Sequence, residues 1–137
     1  DYEGDRLADF VVYQEATGSW KARLSSAAYA LSLHGGLLGG PGQSAVPADY
    51  DGDGQADPAV YRREDGTWTL RLSGGGYAPL TLLSLLGGTG WVPAPADYDG
   101  DGLADPAVRQ PATGTWMVML SAGGYRRVTL PGFFGAP

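Results

Sequence analysis

Residues 97–105 read Asp-Tyr-Asp-Gly-Asp-Gly-Leu-Ala-Asp, and residues 49–57 repeat this stretch with Gln in place of Leu at the seventh position. Carboxylates occupy the first, third, fifth and ninth positions, and glycines occupy the fourth and sixth. Negative charges crowded into so short a loop repel one another unless a cation lies between them. Calcium suits this spacing, because it takes about six to eight oxygen ligands and alternate residues of a tight loop direct oxygens at one centre. The sequence therefore predicts two calcium-binding loops.

Each predicted site uses four carboxylates and the main-chain carbonyl of the seventh residue. Gly54 and Gly102, at the sixth position, permit the sharp turn because glycine reaches positive φ without a Cβ clash. An EF-hand is not expected, since that motif places Glu at its twelfth position and Val60 and Val108 stand there. The alternative is a solvated Asx-type turn without metal. The predicted ligands are Asp49, Asp51, Asp53, Gln55 and Asp57 in one loop, and Asp97, Asp99, Asp101, Leu103 and Asp105 in the other.

A third, altered copy of the loop spans residues 1–9. Glu3 replaces the second Asp of the pattern, and Arg6 replaces the glycine at the sixth position. A non-glycine residue at positive φ is disfavoured, and Arg6 brings a cation beside the metal position. We expect a weak or empty site here, with Arg6 neutralising Asp5 or Asp9. Its candidate ligands are Asp1, Glu3, Asp5, Leu7 and Asp9.

The charge of the chain belongs mainly to these loops. Of the 15 acidic residues, 12 lie in the three loops, so the formal charge of −6 does not indicate a generally acidic surface. Nucleic-acid binding is not expected from this distribution. No apolar run has the length of a membrane span, so membrane insertion is not expected either. The absence of Cys excludes disulfides and thiolate metal sites.

The chain repeats itself every 48 residues, in units 1–48, 49–96 and 97–137. Aligning 49–89 with 97–137 gives 22 identities in 41 positions, which is too many for chance. In the middle unit, residues 67–73 alternate apolar and polar side chains, as in a strand. Segments 56–62, 77–83 and 91–96 also indicate strands, the last one short. The sequence predicts an all-β fold with four strands per repeat. Predicted core residues are Trp20, Trp68, Trp116, Leu85, Leu86, Phe133 and Phe134.

The repeat resembles the FG-GAP or VCBS-type repeats of integrin α-chain propellers and bacterial surface proteins. The resemblance rests on the loops Asp49–Asp57 and Asp97–Asp105 and on the Asp-Pro-Ala-Val strands after these two loops. It rests also on turns of the form Thr-Gly-x-Trp at Thr17 and Thr113 and, as Asp-Gly-Thr-Trp, at Asp65. It implies β-propeller blades, calcium loops between the innermost and second strands, and an extracellular or cell-surface location. The substitutions Glu3 and Arg6 are departures from the family pattern.

Three blades cannot close a ring, because propellers have about four to eight. The third unit also has no counterpart of residues 42–48 or 90–96. We expect the ring to be completed by a second copy, giving a homodimer of six blades, or by adjacent blades of a larger protein.

The sequence favours a calcium-stabilised scaffold or interaction module, with a glycan or a protein as ligand. The alternative is a lectin with sugar sites between blades, since some mushroom lectins resemble the same repeat family. Residues for stacking and hydrogen bonding are Trp91, Tyr77, Tyr125, Arg126 and Arg127. An enzyme is not expected, because His34 is the only histidine and no Cys is present.

Overall fold

The computed structural model of the chain describes residues 1–34, 38–82 and 86–132. The secondary structure of these ranges consists of strands, arranged in three antiparallel sheets. The all-β prediction is therefore confirmed. No helix in the described ranges is long and apolar enough to cross a membrane.

The strands follow one another through the sheets in chain order. The first sheet contains β1 (Phe10–Gln14), β2 (Ser19–Arg23) and β3 (Leu31–His34). The second contains β4 (Gln43–Ala45), β5 (Ala59–Arg62), β6 (Trp68–Arg71) and β7 (Pro79–Leu82). The third contains β8 (Val92–Pro93), β9 (Ala107–Gln110), β10 (Thr115–Leu120) and β11 (Arg126–Leu130).

The sheets are offset from the sequence units by one strand. β4 lies at the end of unit 1–48 but pairs with β5, and β8 lies at the end of unit 49–96 but pairs with β9. The second and third sheets thus have the four strands that were predicted, whereas the first sheet has three among the described residues. Each acidic loop of the two four-stranded sheets consequently connects the first strand of a sheet to its second.

Alternation along the strands decides which side chains reach the interior. In β6, Trp68 and Leu70 are buried while Thr69 and Arg71 are only partly so. In β2, Trp20 is buried and its neighbour Lys21 is exposed. Successive side chains of a strand point to opposite faces, so each sheet has one face toward each neighbouring sheet.

Two apolar clusters fill the spaces between the sheets. Trp20 and Leu38 pack against Val60 of the second sheet. Trp68 and Leu86 belong to a larger cluster that continues into the third sheet. The members contributed to this cluster by residues 97–132 are Ala104, Val108, Met117 and Met119. The three sheets therefore pack face to face in sequence.

The core prediction is confirmed for Trp20, Trp68 and Leu86, which are 4%, 0% and 1% exposed. Trp116 is partly buried, with its ring against Tyr98. The predicted core residues Leu85, Phe133 and Phe134 lie outside the described residues.

Candidate metal centre

The loops 49–57 and 97–105 are each closed at the base by a backbone pair. The amide of Asp57 donates to the carbonyl of Ala48 at 2.8 Å, and that of Asp105 donates to Ala96 at 2.9 Å. Neighbouring loops are also joined to each other. The amide of Ala104 donates to the carbonyl of Asp49 at 2.6 Å, as the amide of Ala56 does to Asp1 at 2.7 Å. The repeat thus sets the loops side by side.

The first carboxylate of each loop organises the turn. Asp49 accepts the amides of Gly52 and Gly54 at 2.6 and 2.9 Å. Both glycines have positive φ, 79° and 86°, so the conformational reason for glycine at the sixth position is confirmed. Asp97 repeats the arrangement, and its pKa is lowered mainly by the amides of Gly100 and Gly102.

The last carboxylate of the loops 49–57 and 97–105 is fully buried and ties the loop to the sheet. Asp57 accepts the amide of Tyr50 at 2.8 Å on one oxygen, and the amide and hydroxyl of Ser73 at 2.7 and 2.9 Å on the other. Burial raises the pKa of Asp57, hydrogen bonds oppose this rise, and the nearby charge of Asp51 adds to it. Asp105 has the same three donors, from Tyr98 and Ser121.

The two middle carboxylates reach across to the segment after the third strand of the sheet. Asp53 accepts the Ser73 hydroxyl at 2.8 Å, and Asp51 accepts the amide of Gly74 at 3.0 Å. In the third sheet, Asp101 and Asp99 accept the corresponding groups of Ser121 and Ala122 at 3.0 and 3.2 Å. The middle and the last carboxylates of the loop are therefore fastened to the same turn.

Within the described residues, two groups of three carboxylates could hold a metal ion. In each, one oxygen from every member lies within 4.8 Å of the others. A carboxylate has about four lone-pair positions, so an oxygen that accepts one amide can still ligate a cation. The donor set is therefore the all-oxygen type that calcium prefers. The groups are Asp49, Asp51 and Asp53 in one loop, and Asp97, Asp99 and Asp105 in the other.

The remaining predicted ligands lie in the same turns but outside these groups. Asp57 is turned toward its three donors, and Asp101 toward Ser121 and the amide of Leu103. Gln55 donates its amide to Asp53. The two loops thus bring together three of their four carboxylates each, in different combinations.

The loop at residues 1–9 has the same framework of hydrogen bonds as the other two loops. All its residues are described, but no three of its carboxylates bring an oxygen within 4.8 Å of one another. Glu3 extends to the Ser26 amide and hydroxyl. Arg6 adopts φ 69° and donates its amide to Asp1. The expected pairing of Arg6 with Asp5 or Asp9 was wrong: neither ion pair is found between these described residues. Asp5 is instead bonded to the Ser25 hydroxyl, and Asp9 accepts backbone amides.

Sequence reasoning missed the serines that complete each site. Ser25, Ser73 and Ser121 fit ordinary turns when each is considered alone, but they bond to carboxylates 16 and 20 residues earlier in the chain. Their recurrence at the repeat spacing was the signal that could have identified them.

The residues considered for sugar binding do not form one site. Trp91 lines an open cleft of about 600 Å³ together with Arg62, Arg63 and Glu64. Tyr77 lines a separate cavity between the first and second sheets. Tyr125 and Arg126 are exposed on the third sheet and line neither space.

Comparisons of the chain with protein-family models, with curated proteins and with solved structures find no match.

Proposed function

We propose that the chain is a calcium-stabilised β-propeller scaffold or interaction module of an extracellular or cell-surface protein. The observation that carries this proposal is the convergence of three carboxylates in each of two loops at equivalent places of two sheets. Extracellular calcium modules bind at about 10⁻⁴–10⁻³ M, where a shallow, solvent-facing loop is sufficient.

Calcium acts on stability in this proposal. Each loop connects the first and second strands of a sheet, and its carboxylates also hold the turn after the third strand through Ser73 or Ser121. A divalent ion relieves the repulsion among these carboxylates and so stabilises three strands at once. A ligand that binds the folded chain and not the unfolded chain must raise the stability of the fold.

The exposure of equivalent residues supports completion of a ring. Val60 and Val108 are 1% and 0% exposed under the preceding sheet, whereas Val12, their counterpart in the first sheet, is 63% exposed. At the other end of the stack, Tyr98 is 45% exposed and its counterpart Tyr50 only 3%. The two outer faces thus carry the same kinds of residue as the buried junctions between sheets, but no sheet covers them. We propose that a second copy covers both, giving six blades; further blades of a longer protein are the other possible occupant.

Flow dialysis with radioactive calcium tests the proposal directly. We expect two ions per chain, and one ion per chain in the variant Asp97→Ala, which keeps the loop at 49–57. Glu64→Gln is the control, because it removes one exposed negative charge outside the loops. Absence of saturable binding at millimolar calcium would refute the proposal.

A lectin is the second candidate, favoured by the cleft that holds Trp91. An aromatic face beside Arg62, Arg63 and Glu64 offers both stacking and hydrogen bonds to a sugar. A glycan array is the assay, with Trp91→Ala expected to lose binding and Trp91→Phe expected to retain part of it. If both variants bind the sugar as tightly as the wild type, Trp91 is excluded as the sugar platform.

A further inference from the structure

A cavity of about 370 Å³ lies between the first and second sheets. Its walls on the side of the first sheet are mainly apolar and consist of Val11, Trp20, Ala22, Leu24 and Tyr2. Arg71 lines it from the second sheet. Small-molecule sites are commonly of this size and composition, with apolar walls and few polar groups that orient the ligand.

Arg71 brings an incompletely satisfied cation to this cavity. Its Nη1 donates to the carbonyl of Tyr77 at 3.1 Å. Its Nε is shielded from solvent and has no hydrogen-bond partner among the described residues. The described ion pairs do not include Arg71. Because a guanidinium stays protonated and none of the described carboxylates pairs with this one, the cavity favours an anion beside the guanidinium.

The repeat provides an internal comparison for this cavity. At the junction of the second and third sheets, Leu70 stands in the place of Ala22 and Met119 in the place of Arg71. Both are buried members of the hydrophobic core there. The junction between the first and second sheets therefore differs from the junction between the second and third sheets at two neighbouring residues. Ala22 provides space where a larger side chain stands in the neighbouring junction, and Arg71 provides charge.

We propose that this cavity binds a small monocarboxylate with a compact apolar body. The body packs against Trp20 and Ala22, and the carboxylate accepts a hydrogen bond from the guanidinium of Arg71. A single cation within apolar walls suits a monoanion better than a phosphate, whose second charge would have no partner. The site is separate from the calcium loops, and its occupation does not require calcium.

Phenylacetate is the probe, and 2-phenylethanol, which has the same ring without the carboxylate, is its control. Binding is followed by heteronuclear NMR of the folded chain, through the Trp20 indole and the Ala22 methyl. We expect saturable shifts of both signals with phenylacetate, and binding of 2-phenylethanol about tenfold weaker or more. Equal binding of the alcohol, or no saturable shift at millimolar phenylacetate, would overturn the proposal.

Two variants borrow the residues of the neighbouring junction, and each is checked by a thermal melt. Arg71→Met removes the charge, Ala22→Leu fills the space, and each is expected to weaken phenylacetate binding by about tenfold or more. Arg23→Met is the matched control, because Arg23 makes the same bond to a tyrosine carbonyl on the open face of the first sheet. If Ala22→Leu does not fold, Arg71→Met decides: unchanged binding by that variant shows that the cavity is not the site.

Discussion

Calcium is expected to raise the melting temperature of the chain by an amount set by the number of calcium loops and their affinity. Two equivalent sites with dissociation constants of about 1 mM, at about 10 mM calcium, each add about 1.4 kcal/mol of stability. For a chain of this length, about 1 kcal/mol corresponds to about 4 °C. The expected increase is therefore about 10 °C in total.

The assay is a thermal melt followed by circular dichroism, at one protein concentration, in chelator and in calcium chloride. Sodium chloride of matched ionic strength controls for screening of the acidic loops. Asp51→Ala disables the loop at 49–57, and Asp99→Ala disables the loop at 97–105. Each variant is compared with itself with and without calcium, so hydrogen bonds lost with the side chain do not affect the result.

Each single variant should keep about half of the calcium-induced shift, and the double variant should keep none. Glu64→Gln, the exposed carboxylate outside the loops, should keep all of it. A wild-type shift no larger in calcium than in the matched sodium chloride would refute the reasoning. So would a double variant that responds like the wild type.

Three further predictions follow from the packing and the charges. Val12→Asp should convert a dimer to a monomer of 14.2 kDa in multi-angle light scattering, because it places a charge on the uncovered face of the first sheet. Gly66→Ala should cost at least about 2 kcal/mol in denaturant unfolding, since φ is 74° and a Cβ would overlap the Leu86 carbonyl. As pH falls, Asp57 should take up a proton before Asp97 in NMR-detected titrations of the chain without calcium. The pKa of Asp57 lies above its ordinary value and that of Asp97 below it, so Asp57 takes up a proton at the higher pH.

The sequence predicted the local features well. Carboxylate and glycine spacing places the turns of residues 49–57, and alternation in residues 67–73 identifies a strand and its buried face. Both features are decided by residues close together in the chain. The pairing of β4 with β5 across the unit boundary was implied only by the resemblance, which places each loop between two strands of one blade, because a periodic pattern does not state where one sheet ends.

Long-range contacts account for what sequence reasoning missed. Ser73 bonds to Asp57, and Tyr61 exchanges hydrogen bonds with Gly88 27 residues later. Arg109 replaces that tyrosine in the third repeat, so the pattern is incomplete even within the chain. Such contacts depend on how strands register and pack, which spacing along a single sequence does not specify.

The hydrogen bonds of the loops determine how calcium should act. Asp49 already accepts an amide on each oxygen, and Asp57 accepts an amide on one oxygen and an amide and a hydroxyl on the other. These bonds offset part of the charge repulsion. The chain should therefore fold without calcium, and the ion should stabilise loops that have already formed. This separates the proposal from a zinc-finger type of behaviour, in which the metal is required for folding. The far-ultraviolet spectrum should be the same in chelator and in calcium at 25 °C, while the melting temperature differs. A chain that is unfolded in chelator would show that the donors are insufficient and that the ion itself forms the loops.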